Sequence, residues 1–143
     1  MKRVSIYSEG FSHKNPIPAA CRIGNIVQTG SILGTCPVTG KHGETLEEQC
    51  RLMFEHVDRI IRAAGGTPEN IIKMTVWMKD RNQRQAVNVE WLKMFPDEHS
   101  RPARHTMDAP LDGGKLIECS FVAVLDQSFA VPDPAFTAPD QSL

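Results

Sequence analysis

The chain has 143 residues, which is the size of one ordinary domain, and 41% of them are hydrophobic. A domain of this size can bury a sufficient core without disulfides or a structural metal. The 16 basic and 17 acidic residues leave a net charge of −1, which argues against a nucleic-acid partner bound through a basic face. No apolar run is long enough to span a membrane and no secretory signal is recognisable, so we expect a cytoplasmic protein without a membrane partner.

Cysteine and histidine spacing gives no sign of a metal site. The four cysteines form no Cys-x-x-Cys pair, so we interpret them as reduced thiols. The five histidines are dispersed and include no His-x-x-x-His pair. Nucleotide-binding motifs such as Gly-x-Gly-x-x-Gly are missing from the sequence. We therefore expect neither a metal nor a cofactor.

The first quarter of the chain predicts short strands and loops. A short strand is predicted at Val4–Tyr7, and Gly24-Asn25 is a turn signal between strands at Ala20–Ile23 and Ile26–Thr29. Residues 30–43 contain four glycines and one proline, which predicts loops and turns.

The clearest helix is predicted from Leu46 to Ala64. Thr45 and Glu48 have the spacing of a capping box, and apolar residues recur at steps of three and four to form one face. Gly65-Gly66 ends the helix, and Thr67–Asn70 predicts a single capped turn with proline at its first position.

The second half of the chain predicts strand, helix, strand and strand. Ile71–Lys79 is rich in β-favouring residues, and Asp80 with Gln83 predicts a second capping box at the start of a helix over Arg81–Phe95. Two strands follow at about Ala103–Ala109 and Lys115–Leu125. The Asp112-Gly113-Gly114 segment suits a hairpin-like connection between these two strands.

This order predicts an α+β fold in which two helices pack on one face of an open sheet. The last strand is apolar on both of its faces, and a two-layer protein of this size can cover only one of them. We therefore expect oligomerisation. Residues 1–125 are predicted to form the domain. Residues 126–143 are proline-rich and form either a mobile tail or an arm that packs Phe129 and Phe136 on a neighbouring subunit.

Two charged residues in the late strands are candidates for a functional site. Glu118 lies between apolar neighbours, where an unpaired carboxylate is costly. Arg104 lies in the preceding predicted strand and is its natural partner if the two strands are antiparallel neighbours. The pair either only fixes strand register, or the guanidinium keeps free donors for a ligand carboxylate, which its planar fork binds well.

Strand alternation places Arg104 and Thr106 on one face and directs His105 away from it, so His105 is interpreted as structural or interfacial. The Thr29-Gly30-Ser31 segment closes an early strand. It is either an ordinary turn or the wall of a pocket in which the backbone approaches a ligand.

Taken in order, several motifs between Gly24 and Leu125 resemble the reactive-intermediate imine/enamine deaminases, known as RidA or YjgF-type proteins. The matching segments are Gly24-Asn25, Thr29-Gly30, Thr39-Gly40, Gln49, Ala63-Ala64-Gly65, the run Ile72–Asp80, Val87-Asn88, Arg101-Pro102-Ala103-Arg104 and Ile117-Glu118.

The resemblance implies a chorismate-mutase-like sheet, three subunits packed as a trimeric barrel, and clefts between the subunits. It implies that Arg104 binds a substrate carboxylate and that Glu118 positions or activates water. Thr29, Gly30 and Asn88 would complete the substrate site, and Thr106 lies beside Arg104. The expected activity is cofactor-independent hydrolysis of a small imine or enamine acid of the 2-aminoacrylate type to a 2-oxo acid and ammonia.

The chain departs from the family pattern close to this site. Thr29-Gly30-Ser31 stands where relatives commonly have Ser-Gly-Gln, and Pro16 and Ile17 occupy the region of an upstream family tyrosine. A reshaped pocket is compatible with a larger unsaturated amino acid such as 2-aminomuconate. A non-catalytic module that binds a carboxylate metabolite is a further alternative, whereas the net charge disfavours a ribonuclease.

Overall fold

The computed structural model describes residues 1–126, and the predicted tail, with Phe129 and Phe136, lies outside this range apart from Asp126. Seven strands and two helices are present in the described part of the chain. The strands are β1 (Val4–Ile6), β2 (Ala20–Ile23), β3 (Ile26–Thr29), β4 (Ile32–Leu33), β5 (Ile71–Met78), β6 (Ala103–Asp108) and β7 (Ile117–Val124). The helices are α1 (Leu46–Ala63) and α2 (Gln85–Met94).

All seven strands form one mixed sheet in the order β1-β2-β3-β7-β5-β6, and the two-residue β4 also pairs with β7. β5 pairs in parallel with β6 and antiparallel with β7. The predicted β2–β3 hairpin is confirmed, with Ile23 opposite Ile26 and Gly24 at a φ of 58° that favours glycine. β4 lies within a segment predicted as loop.

The predicted hairpin between the last two strands is wrong. β6 and β7 are not neighbours, because β5 lies between them and pairs with both. Met74 of β5 is opposite Arg104 on one side and Phe121 on the other. The strand, helix and strand β5-α2-β6 form a crossover unit, and such units place their two strands parallel and adjacent.

The N-terminus of α1 is capped almost as predicted. The Thr45 side chain accepts a hydrogen bond from the Glu48 amide at 3.1 Å. The Glu48 carboxylate, however, accepts from the amide of Glu44 at 3.2 Å and not from that of Thr45. At the other end Ala64 caps the helix and Gly65 adopts a φ of 96°, so the predicted stop at the glycine pair is confirmed.

The second helix begins later than predicted. Residues Arg81–Gln83 form a 3₁₀ turn, and the α-helix starts at Gln85. The Asp80 side chain caps this turn through the amide of Asn82 at 3.0 Å, so the predicted box with Gln83 does not form. The predicted turn after α1 is confirmed, since Thr67 and Asn70 cap each other around Pro68.

The core lies between the helices and one face of the sheet. On β7 the side chains of Ile117, Cys119, Phe121 and Ala123 are buried, as the alternation predicted. The opposite face of the sheet has no layer packed on it by the described residues. Ile26 on this outer face is 51% exposed, and Val124, directly across from it, is 37% exposed.

Gln49 of α1 joins two separate loops through one buried side chain. Its amide nitrogen donates to the carbonyls of Gly43 at 2.8 Å and Gly114 at 2.9 Å, and its amide oxygen accepts from Leu116 N at 2.9 Å. These bonds fix the start of β7 against the N-terminal turn of α1. No helix in the described residues is long and apolar enough to cross a membrane.

Candidate functional site

Arg104 lies on the edge strand β6 and its side chain is directed to the helix side of the sheet. Its Nη2 donates to Asn88 Oδ1 at 2.8 Å, and its guanidinium carbon lies 4.9 Å from the centre of the Trp91 ring. The side chain is half-buried. One nitrogen and one face of the guanidinium are thus held by α2, which leaves further donors of the fork without a partner in residues 1–126.

The two residues that hold Arg104 are themselves fixed by contacts within the helical region. Asn88 donates from Nδ2 to Gln85 Oε1 at 3.2 Å, which turns its amide oxygen toward the guanidinium. Trp91 packs edge-on against Phe95 with a centroid distance of 4.7 Å. Asn88 and Trp91 are three residues apart on α2, so they lie on the same helix face.

The surroundings of Arg104 are electropositive. Burial, together with the nearby positive charge of Arg84, lowers the pKa of Arg104, but a guanidinium stays protonated at any physiological pH. Within residues 1–126 neither arginine forms a salt bridge with a carboxylate. Two unneutralised cations with spare donors favour an anion, and a carboxylate matches the fork geometry.

Thr106 follows Arg104 on the same face of β6, since it pairs with the buried Val76 as Arg104 pairs with the buried Met74. It is half-buried. His105 is exposed on the opposite face, as the alternation predicted.

The predicted pairing of Arg104 with Glu118 is wrong. Glu118 lies on the outer face of β7, between Ile117 and Cys119, which point into the core. β5 separates its strand from β6, and Trp77 is the residue directly opposite it. The half-buried carboxylate forms no salt bridge in the described part of the chain, and its position next to the open outer face explains how it remains solvated without a partner.

Thr29 and Gly30 lie at the bend between β3 and β4. The Thr29 hydroxyl accepts from Phe121 N at 3.0 Å and donates to the Gly30 carbonyl at 2.8 Å, so it fixes the turn against β7. A Cβ placed on Gly30 would lie 3.7 Å from His13 Nε2, and apart from its chain neighbours no other heavy atom of residues 1–126 is within 4 Å. The backbone at Gly30 is therefore open to close approach except where this imidazole stands.

The candidate residues fall into two groups on one protomer. The arginine group comprises Arg104, Asn88, Trp91 and Thr106, and the turn group comprises Thr29, Gly30 and Glu118. Two strands, β7 and β5, separate β3 from β6, which corresponds to roughly 14 Å at about 4.8 Å per strand spacing. A single small molecule does not bridge that distance.

The apolar periodicity of α2 does not report the contact of Trp91 with Arg104. The three-residue spacing of Asn88 and Trp91 was the available signal that both side chains lie on the same face of α2. Sequence reasoning also gave no role to His13, whose place beside Gly30 depends on tertiary packing that periodicity does not report. Within residues 1–126, no three histidine, cysteine, aspartate or glutamate side chains are arranged to hold a metal ion.

The fold is that of a two-layer α+β protein with an arginine held at the open edge of its sheet. The family model described as Endoribonuclease L-PSP matches residues 7–125. The chain belongs to this family. The resemblance to RidA/YjgF proteins is thereby confirmed.

Relatives and solved structures agree with this assignment. A RutC family protein of Haemophilus influenzae is 35% identical over 108 residues, covering 72% of this chain and 83% of the relative. Reactive Intermediate Deaminase A, chloroplastic, of Arabidopsis thaliana is 31% identical over 73% of this chain and 57% of its own length. The crystal structure of Escherichia coli TdcF with bound serine superposes with a TM-score of 0.77 at 27% identity, over 85% of this chain and 98% of that one.

Proposed function

We propose that the protein hydrolyses a small imine or enamine carboxylic acid to a 2-oxo acid and ammonia. The observation that carries the proposal is Arg104, a half-buried cation with spare donors, no acidic partner in residues 1–126 and a second cation nearby. Such a group is suited to a carboxylate. Relatives named reactive intermediate deaminase and a related structure with bound serine, itself a carboxylate, support the same ligand class.

The site is proposed to form between subunits of a homotrimer. Arg104, Asn88 and Thr106 come from one protomer, and Thr29, Gly30 and Glu118 of the partner subunit complete it. Within one protomer, three strand spacings of about 4.8 Å separate β3 from β6 and two separate the strand of Glu118 from β6, which supports this arrangement. The uncovered apolar outer face of the sheet supports association, because a soluble monomer rarely exposes such a patch.

In this site each group would have a distinct task. Arg104 holds the carboxylate and withdraws electron density from the adjacent C2, and Asn88 keeps the guanidinium in place. 2-Aminoacrylate takes up a proton at C3 to give the iminium form. Glu118 of the partner subunit then orients a water that attacks C2, and the C–N bond breaks to give pyruvate and ammonia. Positioning and charge stabilisation are sufficient here because imines hydrolyse readily.

The test is to generate 2-aminoacrylate with a lyase and to follow the 2-oxo acid released. Arg104→Ala is expected to abolish the acceleration, and Arg104→Lys to restore little of it because an ammonium lacks the planar fork. Arg62→Ala, which removes an exposed arginine paired with Asp58 on α1, is the matched control and is expected to behave as wild type. Full activity of Arg104→Ala would refute the proposal.

A substrate panel distinguishes the alternatives. Turnover of 2-aminomuconate but not of 2-aminoacrylate would assign a larger substrate to the same site. Binding of 2-oxobutyrate that depends on Arg104, without turnover of any imine, would indicate a binding module. Cleavage of RNA that survives Arg104→Ala would identify the activity named in the family description and would contradict the proposed site.

A further inference from the structure

The lining of one cavity contains buried polar atoms that have no hydrogen-bonding partner in residues 1–126. A cavity of about 1020 Å³ is lined by residues of the N-terminal segment, the loop after β4 and the loop before β7. Ser8 Oγ, His13 Nε2 and His42 Nδ1 all belong to its lining residues, are shielded from solvent and have no partner within residues 1–126. An unpartnered buried polar atom is unfavourable, so three in one region need an explanation.

Among these atoms, His13 Nε2 is the one next to the candidate site. Beyond the chain neighbours of Gly30, it is the one heavy atom in the described part of the chain that a Cβ on Gly30 would meet within 4 Å, at 3.7 Å, and Gly30 belongs to the turn group. Since glycine has no side chain, a molecule lying against this turn would come within reach of the imidazole. The contact connects the cavity wall to the proposed substrate site.

The orientation of His13 is set by aromatic packing. Its ring meets Phe11 edge-on with a centroid distance of 5.1 Å, and Phe11 packs against the ring of the fully buried His56 at 4.9 Å. His56 is anchored to the Thr35 carbonyl at 2.7 Å. The imidazole is thus held in place without a hydrogen bond of its own, which leaves its nitrogens available.

We propose that His13 of the partner subunit is the proton-transfer residue of the imine hydrolysis, an inference that rests on the proposed function. When water attacks C2 of the iminium acid, the O–C2 bond forms, the C=N π electrons move to nitrogen and His13 takes a proton from the water. The imidazolium then protonates the amino group. The C–N bond breaks, ammonia leaves, and the imidazole takes the hydroxyl proton as the carbonyl forms. It then releases this proton to water, which balances the proton taken up at C3.

The protonation state of His13 agrees with this task. Burial lowers the pKa of His13 below its usual 6.5, so the ring is neutral at neutral pH and can accept a proton. The charged and titratable groups around it are His56 behind Phe11, the adjacent Lys14, and the cavity residues Glu9, His42, Asp112 and Lys115.

His13→Gln tests the proposal. It is expected to lower kcat about a hundredfold with little change in KM, and to remove the acidic limb of the kcat–pH profile. His42→Gln changes the other imidazole of the cavity that has an unpartnered nitrogen, at a position away from Gly30. It is expected to keep the wild-type kcat and the acidic limb of the kcat–pH profile. Imidazole added to His13→Ala is expected to restore part of the activity. Unchanged kcat and pH profile in His13→Gln, or equal losses in both variants, would overturn the role of His13.

Mixing variants tests whether His13 and Arg104 come from different protomers. Inactive His13→Gln and Arg104→Ala chains, unfolded and refolded together, are expected to regain about a quarter of wild-type activity, because one interface in four pairs two intact residues. No recovery in mixed trimers would overturn the intersubunit arrangement.

If the wild type itself turns over no imine, the proposed function fails. If wild type is active, Arg104→Ala is inactive and His13→Gln is normal, only the present inference fails.

Discussion

Asn88 Oδ1 accepts a 2.8 Å hydrogen bond from Arg104 Nη2, and this bond ties the edge strand β6 to the helix that connects it to β5. An amide oxygen is a partner that orients a guanidinium without cancelling its charge. Arg104 therefore keeps its full positive charge for a ligand while its position is fixed.

Substitutions of Asn88 distinguish the effect of the orientation of the Arg104 guanidinium from the effect of its charge. Asn88→Ala is expected to weaken carboxylate binding roughly tenfold, because a hydrogen bond to a charged group contributes about 1.5–3 kcal/mol and other contacts to Trp91 remain. Asn88→Asp is expected to be worse, since the new carboxylate would compete with the ligand for the same cation. Calorimetric titration with 2-oxobutyrate measures both. Tighter binding by Asn88→Asp than by Asn88→Ala would contradict this account.

Gln49 is expected to be the most stability-sensitive polar residue of α1. Gln49→Leu leaves the Gly43 and Gly114 carbonyls and the Leu116 amide without their partner. The free energy of unfolding is expected to fall by about 3 kcal/mol, at about 1 kcal/mol for each lost bond. Urea denaturation measures the difference. Gln83→Leu, at an exposed position without a side-chain hydrogen bond, is the control and is expected to change stability little.

The outer face of the sheet is expected to be the surface of association. Ile26→Lys places a charge on this face, beside the exposed Val124, and is expected to shift the protein from a species of three times 15.9 kDa to monomer. Val38→Lys introduces the same charge at a loop position that is 90% exposed and should leave assembly unchanged. Sedimentation velocity distinguishes them. A trimer that survives Ile26→Lys would show that another surface mediates assembly.

Buried histidine makes stability fall at mildly acidic pH. His56 is fully buried, and burial lowers its pKa below 6.5 even though the Thr35 carbonyl, which lies 2.7 Å from Nε2, raises that pKa. His56 therefore binds a proton more readily in the unfolded chain than in the folded protein. Stability is therefore complete above pH 6.5 and is lost as the pH falls toward the folded-state pKa.

His56→Gln tests this linkage, because a glutamine amide can still donate to the Thr35 carbonyl but does not titrate. Between about pH 7.5 and 5.5 the wild type is expected to lose up to about 1.4 kcal/mol per pH unit for each such histidine. The variant should lose less, with the remainder due to His13, whose pKa burial also lowers. Urea titrations across this pH range measure the free energy of unfolding. An equally steep decline of this free energy in His56→Gln would refute the assignment of the pH dependence to His56.

Local signals in the sequence predicted most elements, but not how β6 and β7 are arranged. The capping residue Thr45 and the apolar periodicity of α1 act over a few residues, so they can be recognised directly. The order of β7, β5 and β6 depends on tertiary pairing, and adjacency in sequence suggested a hairpin. The strand-helix-strand pattern β5-α2-β6 contained the correct signal, because it requires parallel neighbours and leaves β7 to the other side.

For the candidate site, residue types could be predicted but their partners could not. Arg104 was proposed as the partner that the carboxylate of Glu118 requires in an apolar strand, yet the guanidinium is held by the Asn88 amide of α2 and not by Glu118. Alternation separates the two faces of a strand, but it does not show which strands lie beside it. His13 had no periodic or motif signal, since its proximity to Gly30 arises from packing between segments 17 residues apart.

The position of β5 between β6 and β7 has a consequence for how the substrate specificity of the protein can change. The strands that carry Arg104 and Glu118 are both hydrogen-bonded to β5, so the place of each residue in the sheet does not depend on the connection from Asp108 to Ile117. Insertions or deletions at residues 109–112 could reshape access for a bulkier ligand while each of these residues keeps its place in its own sheet. New specificity is thus available from one surface loop, without rebuilding the sheet.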